Sequence, residues 1–413
     1  ESGRRVVRDG QHKNASCGDC DSLTMCWKGQ CTSDVVAKLP NNTEFSGTLA
    51  TVIENEAATL NVVLENSMSD DAKNKAKDAA NLFAASLAGQ LPYFGKQAHE
   101  GELDCDEDGR LNLFFTTNQI QEGVVGFFVA EDFFPASDAS ATGNASDILW
   151  VQAPNETNST MSTVGTLVHE YVHLAAYGIR VYGSQEPARE DLWLDEALAH
   201  TMEDLMGWGP SNVDTVQAAL TSWSTTGFAA RRDSTEMRGM GYTLIRYLLD
   251  RKAAAAGATK ATDPSVVKIA QEVISELMLE KEKGFAHSFF QSQSATDYSQ
   301  WLLALYADGN EDLPQTIVPG YLSVDEAPTG NLQGFGPWAT LRDTDGNDIE
   351  FEGLEPEELD GPPEEEEGEI FVGGSALYLI TGLEPGTHTI KGVGDAFVGE
   401  EAADLYLSVT KLQ

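Results

Sequence analysis

The sequence predicts an α+β fold, and three observations carry that prediction. Roughly the first 150 residues hold strand-like runs around one helical stretch; about 161 to 307 is dominated by helical periods; beyond about 312, short β-branched or aromatic runs alternate with Gly, Pro and Asp turns. At 413 residues the chain has length for two or three domains and a large core. The expected division is a Cys-rich segment at 1–34, an α+β domain at 35–311 and an acidic antiparallel β-sandwich at 312–413.

The elements follow in order. Four of the five cysteines fall in CGDCDSLTMCWKGQC, as Cys17, Cys20, Cys26 and Cys31. So dense a cluster is a covalent staple or a metal site. No histidine lies between Cys17 and Cys31, so two disulfides are expected, and with them an oxidising compartment. Three pairings are open, and Cys105 is left over as a free or buried thiol. EFSGTLATVIENEAATLNVVLEN reads as strands with turns between them. Ser69 is an N-cap, followed by acids and by helical apolar spacing at Ala76, Ala80, Leu82, Phe83 and Leu87. RLNLFFTT (110–117) and SDILWVQA (146–153) read as strands. Helices are expected at about 161–177, 190–206, 236–255, 264–281 and 296–307, and ELDGPPEEEEGE (358–369) as a charged loop.

Charge excludes some functions. The net charge is −40, from 66 acidic and 26 basic residues, which argues against nucleic acid or an anionic membrane as partner. Half of that excess lies from Glu311 to the end, where 23 acids face three bases, Arg342, Lys391 and Lys411. No apolar run approaches the ~18 residues of a membrane span. Residue 1 begins no signal peptide, as expected of a mature form or a trimmed chain. A monomer is expected.

The chemistry concentrates in HEYVH, residues 169–173. Residues four apart share a helix face, so His169 and His173 can aim two imidazoles at one ion, with Glu170 beside them to reach water. Val164, Leu167, Val168, Val172 and Leu174 give that helix apolar packing surface. Downstream, LWLDEALAHTMEDL (192–205) is a second amphipathic stretch, in which apolar neighbours turn Glu196 inward. A buried carboxylate needs a partner; His169, His173 and Glu196 make a His₂Glu zinc site with the fourth position open. His200, one turn after Glu196, is a rival third ligand or a supporting group.

HEYVHL followed by WLDEALAH resembles the gluzincin clan of zinc metallopeptidases, with Ala197 where the clan's W-L-x-E-G has glycine. DCDEDGRLNLFF, GFFVAEDFFP and GMGYTLIRYLLDR are similar to segments of its hyicolysin-like family, so the resemblance covers about residues 100–255. It implies a zincin-like domain, a sheet lobe followed by a helical lobe, in a secreted protease whose substrate is protein or peptide. Periplasmic or cell-surface placement is the alternative. Glu170 is then the general base, and Glu203 the acid that accepts from a ligating histidine. Tyr242 is expected to stabilise the oxyanion, with Arg238 as the alternative donor. Extended substrate is expected along an edge strand at 144–150. No G-x-M-E-N-like segment is present, which favours an endopeptidase over an aminopeptidase. A non-catalytic, metallopeptidase-like binding or adhesion protein is a third reading, and retention of Glu170 argues against it.

Asp104, Asp106, Asp108 and Gly109 spell D-x-D-x-D-G, the opening of a calcium loop, but Phe115 stands at its twelfth position. A partial calcium site and a tight acidic turn are both open. N-x-S/T sequons occur at Asn14, Asn41, Asn144, Asn155 and Asn158.

Overall fold

The computed structural model describes residues 17–350, with breaks at 18–19, 22, 40, 42, 56–57, 95–103, 107, 118–123, 138–139, 223–232, 311–318 and 344–346. Beyond them it describes 357–360, 378–381, 397–398 and 401–402. The chain divides into two compact units, Glu1–Arg189 and Glu190–Gln413.

The first unit opens with a hairpin, β1 (Met25–Trp27) and β2 (Gln30–Thr32). Lys28 and Gly29 take the positive φ its turn requires, 49° and 80°. Two disulfides form, Cys17–Cys26 and Cys20–Cys31, and Cys105 is a buried free thiol. The main sheet has six strands: β3 (Asp34–Lys38), β4 (Glu44–Glu54), β5 (Thr59–Glu65), β6 (Arg110–Thr116), β7 (Gly126–Phe128) and β10 (Ile148–Gln152). A short hairpin, β8 (Pro135–Ser137) and β9 (Ser140–Asn144), lies outside it. The spatial order is β3-β4-β5-β6-β10-β7. Strands β5, β6 and β10 run parallel, and β7 returns antiparallel to β10.

That order corrects the expected substrate edge. Residues 148–152 are paired on both sides, with Trp150 opposite both Phe114 and Phe127. ILWV is buried throughout, the continuous apolar run of an interior strand. Among the described residues the sheet's edges are β3 and, next to β10, the three-residue β7. Trp27, Phe45, Phe114 and Trp150 form the core on one side; the Phe45 and Phe114 rings meet Trp150 at 5.2 and 4.9 Å, edge to face. Helices α1 (Asp70–Phe94) and α2 (Thr160–Tyr177) pack together through Phe83 and Phe94, whose rings approach Tyr171 at 6.2 and 5.7 Å. Two sequons are closed to modification: Asn144 and Asn158 are buried, bonding Asp132 and Thr163 through their amides.

The second unit is helical: α3 (Leu192–Leu205), α4 (Val213–Ser222), α5 (Thr235–Ala255), α6 (Pro264–Leu279), a single turn α7 (Ser288–Gln291) and α8 (Ala295–Ala307). Two glycines bring α5 against its neighbours. A Cβ on Gly239 would lie 2.1 Å from the Thr215 carbonyl of α4, and one on Gly241 2.7 Å from the Ala197 Cβ of α3. The close approach that a glycine at 197 would allow is supplied by Gly241 on the facing helix. The fully buried Arg246 ion-pairs with Asp204 at 2.6 Å and Asp250 at 2.8 Å. The stretch 319–338 lies along these helices: Gly334 N–H donates to Asp204, Leu322 N–H to Asp250, and Tyr321 Oη to the Thr243 carbonyl. Further on, two-stranded ladders join Thr340–Arg342 to Asp348–Glu350, Glu357–Asp360 to Tyr378–Thr381, and Phe397–Val398 to Glu401–Ala402. The middle one is parallel, unlike the expected all-antiparallel pattern. Strand and turn texture marks strands but leaves their pairing direction open. The rest of the expected sandwich lies outside the described residues, as do most of the loop at 358–369 and the sequon at Asn14. No helix among the described residues is long and apolar enough to cross a membrane.

Candidate metal centre

The HEYVH segment lies on α2, which starts where the sequence provides a cap: the Ser159 hydroxyl accepts from Ser162 N–H at 3.1 Å. From Thr163 to Val172 the helix is buried at every position. Within it, His169 and Glu170 are buried and His173 is half-buried. The two histidines are brought together with their Nε2 atoms 3.1 Å apart and ring planes inclined by 75°. Two nitrogens bound to one tetrahedral zinc at ~2.0–2.1 Å stand ~3.3 Å apart, so the imidazole pair fits such an ion.

Glu170 faces the edge of the sheet. A Cβ on Gly126 of β7 would sit 2.2 Å from Thr166 Cγ2 and 3.3 Å from Glu170 Cγ. Only a glycine lets the strand run this close to the helix at the level of the glutamate. β7 is last in the sheet order, with no strand beyond it among the described residues. Its backbone therefore borders the HEYVH helix. The sequence reading missed it, because three residues, GFF, are too few to show a period.

In the second unit, α3 carries the downstream candidates. Glu196 is buried, and its Oε2 lies 3.2 Å from Arg238 Nη1. Arg238 is in turn gripped by Asp233, whose two carboxylate oxygens accept from Nε and Nη2. His200 stands one turn on from Glu196, with a ring nitrogen within 4.8 Å of a Glu196 oxygen. Its Nδ1 is 2.7 Å from Asn212 Oδ1 and 3.0 Å from Glu203 Oε1. The Asn212 amide orientation is fixed by its own Nδ2 donating to the His200 carbonyl at 2.8 Å. Both neighbours of Nδ1 are thus acceptors, which places the proton on Nδ1 and makes Nε2 the basic nitrogen. Glu203 serves His200, and Asn212 joins it, a residue the sequence reading did not single out. Its signal was hidden in GWGPSN, which reads only as a turn.

Tyr242 is placed differently. It is buried on α5 beside Asp204 and Phe335, lining a small cavity with Val213 and Val216. Burial, then the nearby Asp204 carboxylate, pushes its phenol well above the ordinary range. Arg238, not Tyr242, is the member of this pair that touches Glu196. The cysteine cluster is closed to metals by its two disulfides. Asp104, Asp106 and Asp108 come together on the turn before β6, with carboxylate oxygens within 4.8 Å of one another.

No family model matches the chain, and no curated protein matches it. Among solved structures, an aminopeptidase N family protein from Idiomarina loihiensis is similar over 62% of this chain, at 11% identity and a TM-score of 0.33. The chain spans 44% of that protein's length. A likeness of this size carries no argument about activity.

Proposed function

We propose that the chain is a secreted zinc-dependent endopeptidase whose metal is held by His169, His173 and Glu196. The observation that carries the reading is the pair of Nε2 atoms 3.1 Å apart on a buried helix, with a glutamate between them facing an edge strand. Zinc, when bound, supplies a Lewis acid for water and for the scissile carbonyl. Glu170 takes the proton of the attacking water and hands it to the leaving amine nitrogen. The backbone of β7 takes the extended substrate as an added strand. Arg238 is the donor for the developing oxyanion, because it stands beside Glu196 whereas Tyr242 is turned into the helical interior. The two disulfides support a secreted or otherwise oxidising location. The acidic β-rich stretch is taken as a β-sandwich that begins beyond 338 and not at 312, because 319–338 bonds to the helices of the second unit.

Glu170→Gln tests the reading: hydrolysis of an unfolded protein substrate falls by ~10²–10⁴-fold while zinc content is unchanged. Full activity in that variant overturns the assignment. Peptides with blocked amino termini separate the endopeptidase from an aminopeptidase, which leaves them intact. Inertness of the wild type toward all of these substrates points to a binding protein. One observation favours a second ligand set: His200 has its proton fixed on Nδ1 by Glu203 and Asn212, the arrangement of a histidine ligand. Zinc retained in Glu196→Gln and lost in His200→Ala would transfer the role of Glu196 to His200.

A further inference from the structure

The acidic turn before β6 is independent of the zinc centre and has its own chemistry. Gly109 takes φ +71° and has open space around it, and the turn it closes gathers the three carboxylates that precede it. Asp104 holds the turn, its two oxygens each accepting a backbone N–H at 3.0 Å, from Asp108 and Gly109. Asp106 is 2% exposed. One of its oxygens accepts from Ser146 Oγ at 2.8 Å; the other, Oδ1, is buried and meets no hydrogen-bond donor among the described residues. Asp147, at the start of β10, is 3% exposed and accepts from Asn112 Nδ2 at 3.2 Å.

These acids lack an internal counterion sufficient for them. Arg110 eases Asp108, but its guanidinium also serves the carbonyls of Cys20 and Thr24, each at 2.9 Å. A buried oxygen turned into a cluster of like charge, with no donor among the described residues, points to a cation from solution.

We propose that Asp104, Asp106, Asp108 and Asp147 form a calcium site that fastens the disulfide-bonded arm to the sheet. All the side-chain donors are hard oxygens, which suit calcium and not zinc. The carboxylate oxygens of Asp104, Asp106 and Asp108 lie within 4.8 Å of one another, inside the ~4.6–5.2 Å between opposite ligands of a calcium ion. The site is no EF-hand: Phe115, at the twelfth position, is buried in β6. The further carboxylate comes instead from Asp147 on a neighbouring strand. The arm is reached through Asp108, whose Oδ2 accepts from Cys26 N–H at 3.2 Å.

The test uses the whole chain stripped with EGTA. Calorimetric titration with CaCl2 is expected to show one strong site. At a hundredfold excess over Kd the melting temperature rises by about 5–10 °C, and proteolysis within residues 17–32 slows. Asp106→Asn keeps the shape and removes a charge. It is expected to abolish the calcium response while its calcium-free melting temperature equals or exceeds that of the wild type, an outcome a purely structural carboxylate would not give. Should that variant fail to fold, Asp147→Asn gives the same reading. No heat and no shift in the wild type would overturn the proposal, leaving the carboxyls protonated. A calcium response kept in both variants would overturn it too, placing the ion elsewhere.

Discussion

Both units bury carboxylates, and they neutralise them in opposite ways. In the helical unit Asp204 and Asp250 close on Arg246, all three at most 1% exposed in their side chains, and each acid also takes a backbone N–H from 319–338. In the sheet unit Asp106 and Asp147 are also buried, and Arg110, which eases Asp108, is shared with backbone carbonyls of the arm. One region carries its cation in the sequence; the other is arranged to receive one. The comparison teaches that a buried acid marks a ligand site only when the chain supplies no partner of its own.

The largest effect expected from breaking this contrast is in the helical unit. Arg246→Ala leaves two buried carboxylates without their counterion and costs ~3–5 kcal/mol in urea unfolding; a loss below ~1 kcal/mol would show the ion triad to be incidental. A pH series separates the units next. Burial lifts Asp132 of the sheet unit to about 7 and Asp250 of the helical unit to about 6, against an ordinary 3.8. An acid whose folded pKa is raised stabilises the fold below its unfolded pKa and loses that contribution as pH climbs through the folded value. Between pH 6 and 8 the Asp132 loss therefore continues after that of Asp250 is complete. Hydrogen exchange is expected to show β10 amides losing protection across that window more than α5 amides, with Asp132→Asn reducing the difference. A smaller effect tests the sheet edge. Gly126→Ala drives a methyl into Thr166, costs ~1–3 kcal/mol and lowers peptide hydrolysis, since β7 must move off α2. The smallest is Ser159→Ala, which removes the α2 cap for ~1 kcal/mol with zinc content unchanged.

The helices bearing the motif were legible because each has both a period and a boundary signal. HEYVH sits on α2 as its spacing required, and α3 and α5 fall within two residues of their expected ends. What was not legible depended on tertiary context. The ten-residue α4 runs straight on from a tight turn at Gly209–Asn212 that reads as a loop, and its packing against α5 rests on Gly239. The substrate edge was misplaced because a buried interior strand looks more strand-like than the short β7 beside it. Disulfide pairing is not encoded in spacing. One partner of His200 was hidden for the same reason: Asn212 reaches it from another element twelve residues on, whereas Glu203 lies on the same helix.

The most direct test of the central claim is the zinc K-edge X-ray absorption spectrum of the purified chain, with zinc counted per molecule. The expected result is one zinc with a shell of nitrogen and oxygen at ~2.0–2.1 Å, imidazole scattering from two or more rings, and no sulfur. A sulfur shell at ~2.3 Å, or a chain that holds no zinc after dialysis against it, would contradict the account.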